Sequence, residues 1–186
     1  MKRIVILASG SGTLAQAILD AQLDADIVAV ISDQRDAAVL DRAHKARIET
    51  FTIPMLPDRA EWDRELETLI AALKPDLVVS AGFMRILSER ITSKFKIINS
   101  HPALLPLFPG AHAVRDALAA GATETGTTIH WVDAGVDTGK VIVQERVEIL
   151  PGDTEESLHE RIKIVERGLI VATIAELLPT LEKING

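Results

Sequence analysis

IVILASGSGTLAQAILDA, residues 4–21, sets two hydrophobic periods one after the other. Ile4-Val5-Ile6-Leu7 is an unbroken apolar run rich in β-branched residues, the pattern of a strand covered on both faces. From Thr13 onward Leu14, Ala17, Ile18 and Ala21 recur at helical spacing, and Ser9-Gly10-Ser11-Gly12-Thr13 lies between the two segments. Outward from here the alternation continues. Residues 27–31 (IVAVI) predict a second buried strand, 37–46 a short helix and 48–53 a third strand that Pro54 and Pro57 end. Residues 59–73 predict a longer helix with Trp62, Leu66, Leu69, Ile70 and Leu73 on one side, stopped by Lys74-Pro75. A fourth strand follows at 77–80 and a short fifth at 97–99. Strands that alternate with helices imply right-handed crossovers and a parallel sheet with helices on both faces.

The second half changes character. Pro102, Pro106, Pro109 and Gly110 crowd a segment that can be neither helix nor central strand, so an ordered loop is expected, with a short helix over 115–120 after it. Thr127, Ile129 and Trp131 alternate with Gly126, Thr128 and His130, which predicts a strand over 125–132; 141–149 predicts another, across a glycine-containing loop. Such a pair reads as antiparallel strands at one sheet edge. Thr154, with Ser157 three residues on and Glu155-Glu156 in the first turn, opens a last helix running to Leu178 before Pro179. The expected fold class is therefore α/β: a Rossmann-like, mostly parallel twisted sheet with helices on both faces and an antiparallel edge in the C-terminal half. No repeat or linker divides the chain, so residues 1–186 are expected to form a single domain.

Composition narrows the function. The chain of 186 residues holds 27 acids against 20 bases, with no clustered Lys/Arg run, no tyrosine and 3% aromatics, so it lacks both the charge and the stacking surface that nucleic acid requires. With no cysteine, thiolate metal sites and cysteine nucleophiles are excluded. No window approaches the roughly 18 apolar residues of a membrane span, and the apolar start runs into a glycine loop rather than a cleavage site, so the protein is expected in the cytoplasm.

Three constellations carry chemistry. Ser9-Gly10-Ser11-Gly12-Thr13, between the first strand and first helix, sits where unpaired helix N–H groups meet an anion and glycines allow close approach, so it is expected to hold a phosphate; a plain tight turn also fits. It matches neither the dinucleotide fingerprint nor the Walker sequence. In Asn99-Ser100-His101-Pro102, if Asn99 ends the fifth strand, its amide and the His101 imidazole two residues on point to the same side at the carboxyl end of the sheet, where ligands of open α/β sheets bind; tying down the proline-rich loop is the alternative use. Asp137, in the loop Asp133-Ala134-Gly135-Val136-Asp137-Thr138-Gly139, could reach His101 and fix its tautomer and charge, or could simply form a turn.

These motifs, together with Ala81-Gly82-Phe83-Met84-Arg85-Ile86-Leu87, Asn99 to Pro106 (NSHPALLP) and Pro109-Gly110, resemble the phosphoribosylglycinamide formyltransferases, or glycinamide ribonucleotide transformylases, of the folate-dependent formyltransferase family. The resemblance spans essentially the whole chain. It implies an enzyme of purine biosynthesis and one-carbon metabolism, moving the formyl group of 10-formyltetrahydrofolate to the amine of glycinamide ribonucleotide by direct amine attack, as a monomer or homodimer, with no metal. Asn99, His101 and Asp137 then take the catalytic positions: Asn99 and protonated His101 as donors to the oxyanion, Asp137 as proton relay. Ser11, Gly12, Thr13, Lys163 and Glu166 take the ribonucleotide positions; Met84, Arg85, Ile86, Leu87, Val136, Thr138, Gly139 and Lys140 take the folate positions.

The chain departs from the family pattern in places. Ser11 and Leu14 stand where the family often has Asn, and Lys140 where a Pro is common. Methionyl-tRNA formyltransferase and formyltetrahydrofolate hydrolase share the motifs but carry extra domains, which this length does not accommodate. A metal-dependent hydrolase using His101, His112, His130 and Asp137 lacks any zinc-type His spacing, whereas a non-catalytic phosphosugar-binding module would need only the phosphate loop. His112 and His130 are candidates for the folate side of the cleft, and His44 and His159 are expected on the surface.

Overall fold

A computed structural model describes residues 1–181; the last five residues of the expected 1–186 domain lie outside it. Seven strands form one sheet in the order β3-β2-β1-β4-β5-β6-β7. The apolar run of β1 (Lys2–Leu7) occupies the middle, flanked in parallel by β2 (Ala25–Ser32) and β4 (Leu77–Ser80). β3 (Thr50–Thr52) adds to the outer edge of β2, and β5 (Ile97–His101) to β4, both in parallel. β6 (Glu124–Trp131) and β7 (Val141–Glu148) complete the other edge, each antiparallel to its neighbour.

Alternation along the strands divides the core into two layers. Ile4, Ile6, Val30, Val79, Ile98 and Ile129 pack on the face covered by α1 (Thr13–Asp20), α2 (Ala38–Lys45) and α6 (Glu155–Leu177). Val5, Leu7, Ile31, Val78 and Ile97 point the other way, onto α3 (Arg59–Leu73) and the single turn α4 (Glu89–Thr92). A smaller cluster of Val114, Val147, Leu158 and Ile162 seats α5 (Ala113–Ala119) against α6 and β7. Thr154 and Ser157 exchange side-chain and backbone bonds as a capping box, which fixes where α6 begins.

Several boundaries differ from the expectation. β5 extends through Ser100 to His101, because antiparallel pairing with β6 continues to His101 opposite Thr128. β3 keeps only three residues, since β2 alone pairs with it. α4, four residues long, is too short to show a helical period. Among the described residues no helix is long and apolar enough to cross a membrane.

Trp62 of α3 is fully buried, donates its indole N–H to the Ile53 carbonyl at 2.9 Å, and stacks on Phe83 with centroids 6.3 Å apart. It supports the segment that follows β4. Trp62→Ala is expected to lower the unfolding free energy by about 3–5 kcal/mol, read from urea denaturation; a loss under about 1 kcal/mol would show that the layer refills the space.

Candidate active site

Chain order reverses between β1 and β4, so the loops leaving their carboxyl ends diverge and leave a crevice. A cleft of about 630 Å³ opens there, bounded by the loop after β1, the segment after β4, the end of β5, the loop after β6 and one face of α6. Because α1 and α6 cover one face of the sheet and α3 the other, the cleft straddles the sheet edge.

On the α1 side, Ser11, Gly12 and Thr13 line the cleft. Gly12 precedes α1 with φ 74°, and a Cβ there would lie 2.5 Å from Val39 Cγ2, so the position accepts neither a side chain nor its usual backbone. α2 holds the outside of the loop: Val39 N–H donates to the Gly10 carbonyl at 3.2 Å and Arg42 Nε to the Ser11 carbonyl at 2.7 Å. No side chain caps α1, which leaves its first amides to an anionic ligand. Lys163 and Glu166 reach this part of the cleft from α6. Glu166 is buried and accepts a 2.5 Å hydrogen bond from Ser100 Oγ; burial raises its carboxyl pKa above the ordinary value despite that bond and the nearby Lys163 and Arg167. His159, expected on the surface, lies one turn before Lys163 and also lines the cleft. Burial, then Lys163, lowers its pKa.

Asn99 and His101 stand on β5 with side chains on the same side, while Ser100 between them faces α6. His101 Nε2 donates to the Phe108 carbonyl at 2.8 Å, and its Nδ1 lies 3.4 Å from Asp137 Oδ2. That second contact is attractive only when Nδ1 carries a proton. The proline-rich loop brings Phe108 round because Thr128 Oγ1 donates to the Ala103 carbonyl at 2.6 Å, and Gln144 Nε2 donates to the Leu105 carbonyl at 2.7 Å. Both ring nitrogens of His101 are thus occupied, so the expected role of His101 as a free donor to an oxyanion requires its longer contact to open.

Residues 133–140 leave β6 beside Ile97, whose carbonyl accepts from Val132 N–H at 2.8 Å, yet the Asp137 carboxylate meets His101 at the far end of β5. The loop therefore folds back over the strand. Asp137 adopts φ 53° to do so, a conformation uncommon outside glycine and tolerated by Asp and Asn. Its Oδ2 accepts from Gly110 N–H at 2.9 Å, and its Oδ1 lies 3.5 Å from His130 Nε2. His130 is the residue the strand pattern undervalued. It is 2% exposed, pairs across the ladder with Asn99, and its Nε2 is 3.2 Å from Asn99 Nδ2. Burial raises the Asp137 pKa, but the His130 hydrogen bond, the Gly110 amide and the charges of both histidines outweigh it, so the carboxyl sits below its ordinary value.

Across the cleft from the glycine loop, Phe83 and Leu87 anchor the segment after β4 in the α3 layer and leave Met84 65% and Ile86 53% exposed at the cleft. Arg85, Leu87 and Val136 share the lining. Thr138, Gly139 and Lys140 do not: Thr138 Oγ1 donates to Asp133 Oδ1 at 2.6 Å, a Cβ on Gly139 would lie 1.6 Å from the Trp131 carbonyl oxygen, and the Lys140 carbonyl accepts from Trp131 N–H at 2.9 Å. These three residues form the base of the loop. His112 is exposed before α5 and stands outside the lining. Among the described residues no three His, Cys, Asp or Glu side chains are arranged to hold a metal ion.

The depressed pKa of Asp137 fixes a sign. The folded state holds fewer protons there than the unfolded chain, so the contribution of Asp137 is fully present above the ordinary value of about 3.9 and fades as pH falls through the lower folded value. Asp137→Asn, which tolerates the same backbone, is expected to cost stability at neutral pH and progressively less on acidification. Unfolding free energies measured across that range check this; a wild-type-to-variant difference independent of pH would contradict it.

Residues 2–174 match the family described as formyl transferase. The chain is 50% identical over 182 residues to the phosphoribosylglycinamide formyltransferase of Mycobacterium tuberculosis, covering 94% of this chain and 84% of that one. It is 40% identical over 180 residues to the Escherichia coli K12 protein of the same name, covering 92% and 85%. Glycinamide ribonucleotide transformylase 1 from Symbiobacterium toebii superposes with a TM-score of 0.91 at 40% identity over 94% of this chain and 86% of that one. The phosphoribosylglycinamide formyltransferase of Bacillus halodurans does so with a TM-score of 0.92 at 38% identity over 98% of each. With the family match, the sequence identities and the superpositions in agreement, the chain belongs to the formyl transferase family, alongside the phosphoribosylglycinamide formyltransferases.

Proposed function

We propose that this chain transfers the formyl group of 10-formyltetrahydrofolate to the primary amine of glycinamide ribonucleotide, a step of purine biosynthesis carried out in the cytoplasm by a monomer or homodimer. The observation that carries the reading is the meeting of Asn99, His101, His130 and Asp137 at the boundary between an uncapped helix start and an apolar arm. A phosphate fits the first and a flat heteroaromatic ring the second. The reacting carbon then falls between them.

Ser11, Gly12 and Thr13 hold the phosphate through backbone amides, with Lys163 adding charge; Glu166 accepts from a sugar hydroxyl. Met84, Arg85, Ile86, Leu87 and Val136 enclose the folate ring, while Thr138, Gly139 and Lys140 shape the Asp137 loop from beneath. The neutral amine attacks the formyl carbon, forming a C–N bond and placing negative charge on the formyl oxygen. Asn99 Nδ2 turns from His130 to that oxygen, and His101 Nδ1–H, held only at 3.4 Å by Asp137, supplies a second donor. Asp137 accepts the proton lost by the amine nitrogen and returns it to N10 as the carbon–N10 bond breaks, leaving tetrahydrofolate and the formylated amide. His130 accepts from Asn99 when neutral and donates to Asp137 when protonated, so one ring serves both partners. A positioned oxyanion donor contributes roughly 10²–10³ in rate and an acid–base group roughly 10²–10⁴.

Release of tetrahydrofolate from 10-formyltetrahydrofolate, only in the presence of glycinamide ribonucleotide, is the expected outcome of an assay with the purified protein. Turnover without the acceptor, or none with it, would overturn the reading. Asn99→Ala and Asp137→Asn are expected to lower kcat by about 10²–10⁴ with little change in KM. Gly12→Ala is expected to raise the KM for glycinamide ribonucleotide and spare that for the folate; the reverse split would reverse the assignment of the two halves of the cleft.

A further inference from the structure

Asp33 follows β2, away from the reacting groups, and its side chain is 1% exposed. Both of its oxygens are engaged. Oδ1 accepts from Ser9 Oγ at 2.5 Å; Oδ2 accepts from Arg85 Nε at 2.7 Å and from Gln34 Nε2 at 3.0 Å. Ser9 Oγ in turn accepts from Met84 N–H at 2.9 Å, and Ser9 N–H donates to the Gly82 carbonyl at 3.1 Å. One carboxylate and one hydroxyl thus connect the first residue of the phosphate loop to the arm carrying Met84 and Arg85. These two segments are 75 residues apart in the chain; Leu14 after the loop packs in one layer of the core, and Phe83 and Leu87 of the arm pack in the other.

Burial alone would raise the Asp33 pKa; the bonds from Ser9, Arg85 and Gln34 and the charge of Arg85 reverse this and keep the carboxylate ionised below the ordinary range. A charge so deeply placed tolerates little displacement of its partners, since moving either leaves it uncompensated. The carboxylate thus holds one partner from each segment.

We propose that Asp33 is a positioning residue that couples the two substrate subsites, so that each substrate binds more tightly once the other has ordered its side of the Ser9–Asp33–Arg85 junction. The proposal rests on the assignment of the phosphate loop to the ribonucleotide and the arm to the folate made above. Coupling between sites is reciprocal: a factor gained by one ligand in the presence of the other must be gained equally in the opposite order. Asp33 does not line the cleft. Its effect appears in the coupling, not in the chemistry.

The test is calorimetric titration of the purified protein with glycinamide ribonucleotide and with tetrahydrofolate, which has no formyl group to transfer, each alone and against saturation by the other. The wild-type chain is expected to bind either ligand about fivefold or more tightly when the second is present, by the same factor in both orders. Asp33→Asn, which keeps the shape and removes the charge, is expected to bring that factor near one. Ser9→Ala, which removes only the hydroxyl link, is expected to bring it part of the way, and stands in if Asp33→Asn does not fold. A merely structural role would lower the thermal midpoint and weaken both single-ligand affinities while leaving the coupling factor at its wild-type value; that result overturns the proposal, as does a wild-type factor of one. Lys163→Ala separates the two levels of the argument. If it leaves ribonucleotide binding unchanged, the assignment of that half of the cleft fails; if it weakens that binding while Asp33→Asn retains full coupling, only the role of Asp33 fails.

Discussion

A single carboxylate, that of Asp137, draws one loop and the ends of two strands into one site. It accepts from the Gly110 amide, lies 3.4 Å from the His101 ring and 3.5 Å from the His130 ring, and so joins the proline-rich loop, the end of β5 and the end of β6. None of these contacts is local in sequence. The His130 contact requires the antiparallel edge to be in register, because a slip of β6 by one residue would turn His130 to the face opposite Asn99 and His101. The proposed chemistry therefore depends on β6 lying beside β5 in this register and on residues 133–140 folding back over it.

The two faces of the sheet receive different tasks. α1 and α6 enclose a polar notch with an uncapped helix start, Lys163 and a buried Glu166, while the α3 layer presents an apolar arm anchored by Phe83 and Leu87. Strand alternation at β5 serves both at once: Asn99 and His101 project towards the Asp137 loop and Ser100 bonds Glu166 on the α6 side. The proposed reaction uses this boundary, with the two substrates on either side of it and the donors of β5 between them.

Much of this was legible along the chain. Ile4 to Leu7 followed by a glycine-rich turn and a helical period specifies a strand–loop–helix start, and its repetition specifies the parallel sheet, because those patterns reflect local burial on two faces or one. The Asn99–His101 pair could be read for the same reason, since strand alternation by itself puts both side chains on one side. His159 and His130 could not be judged in this way. A helix period cannot distinguish solvent from a cleft, so His159 resembled a surface residue, and the alternation around His130 showed its face without showing that Asn99 and Asp137 lie there. Thr138, Gly139 and Lys140 adjoin the site in sequence, and only the folded loop shows Thr138 bonded to Asp133 and the Lys140 carbonyl to Trp131.

What the sequence determined alone is what depends on short-range periodicity and on residue chemistry: the α/β class, the antiparallel edge, the glycine loop before the first helix, and the amide, imidazole and carboxylate side chains that the cleft brings together. What only the tertiary structure decided is which of these groups share a partner. Asp33 binding both Ser9 and Arg85, Phe108 taking one nitrogen of His101, and Asp137 bridging two histidines are contacts across 24 to 52 positions of chain or through backbone turned to positive φ. Hydrogen bonds form over about 3 Å of space without regard to distance along the polymer, so no local pattern encodes them until the strands are paired.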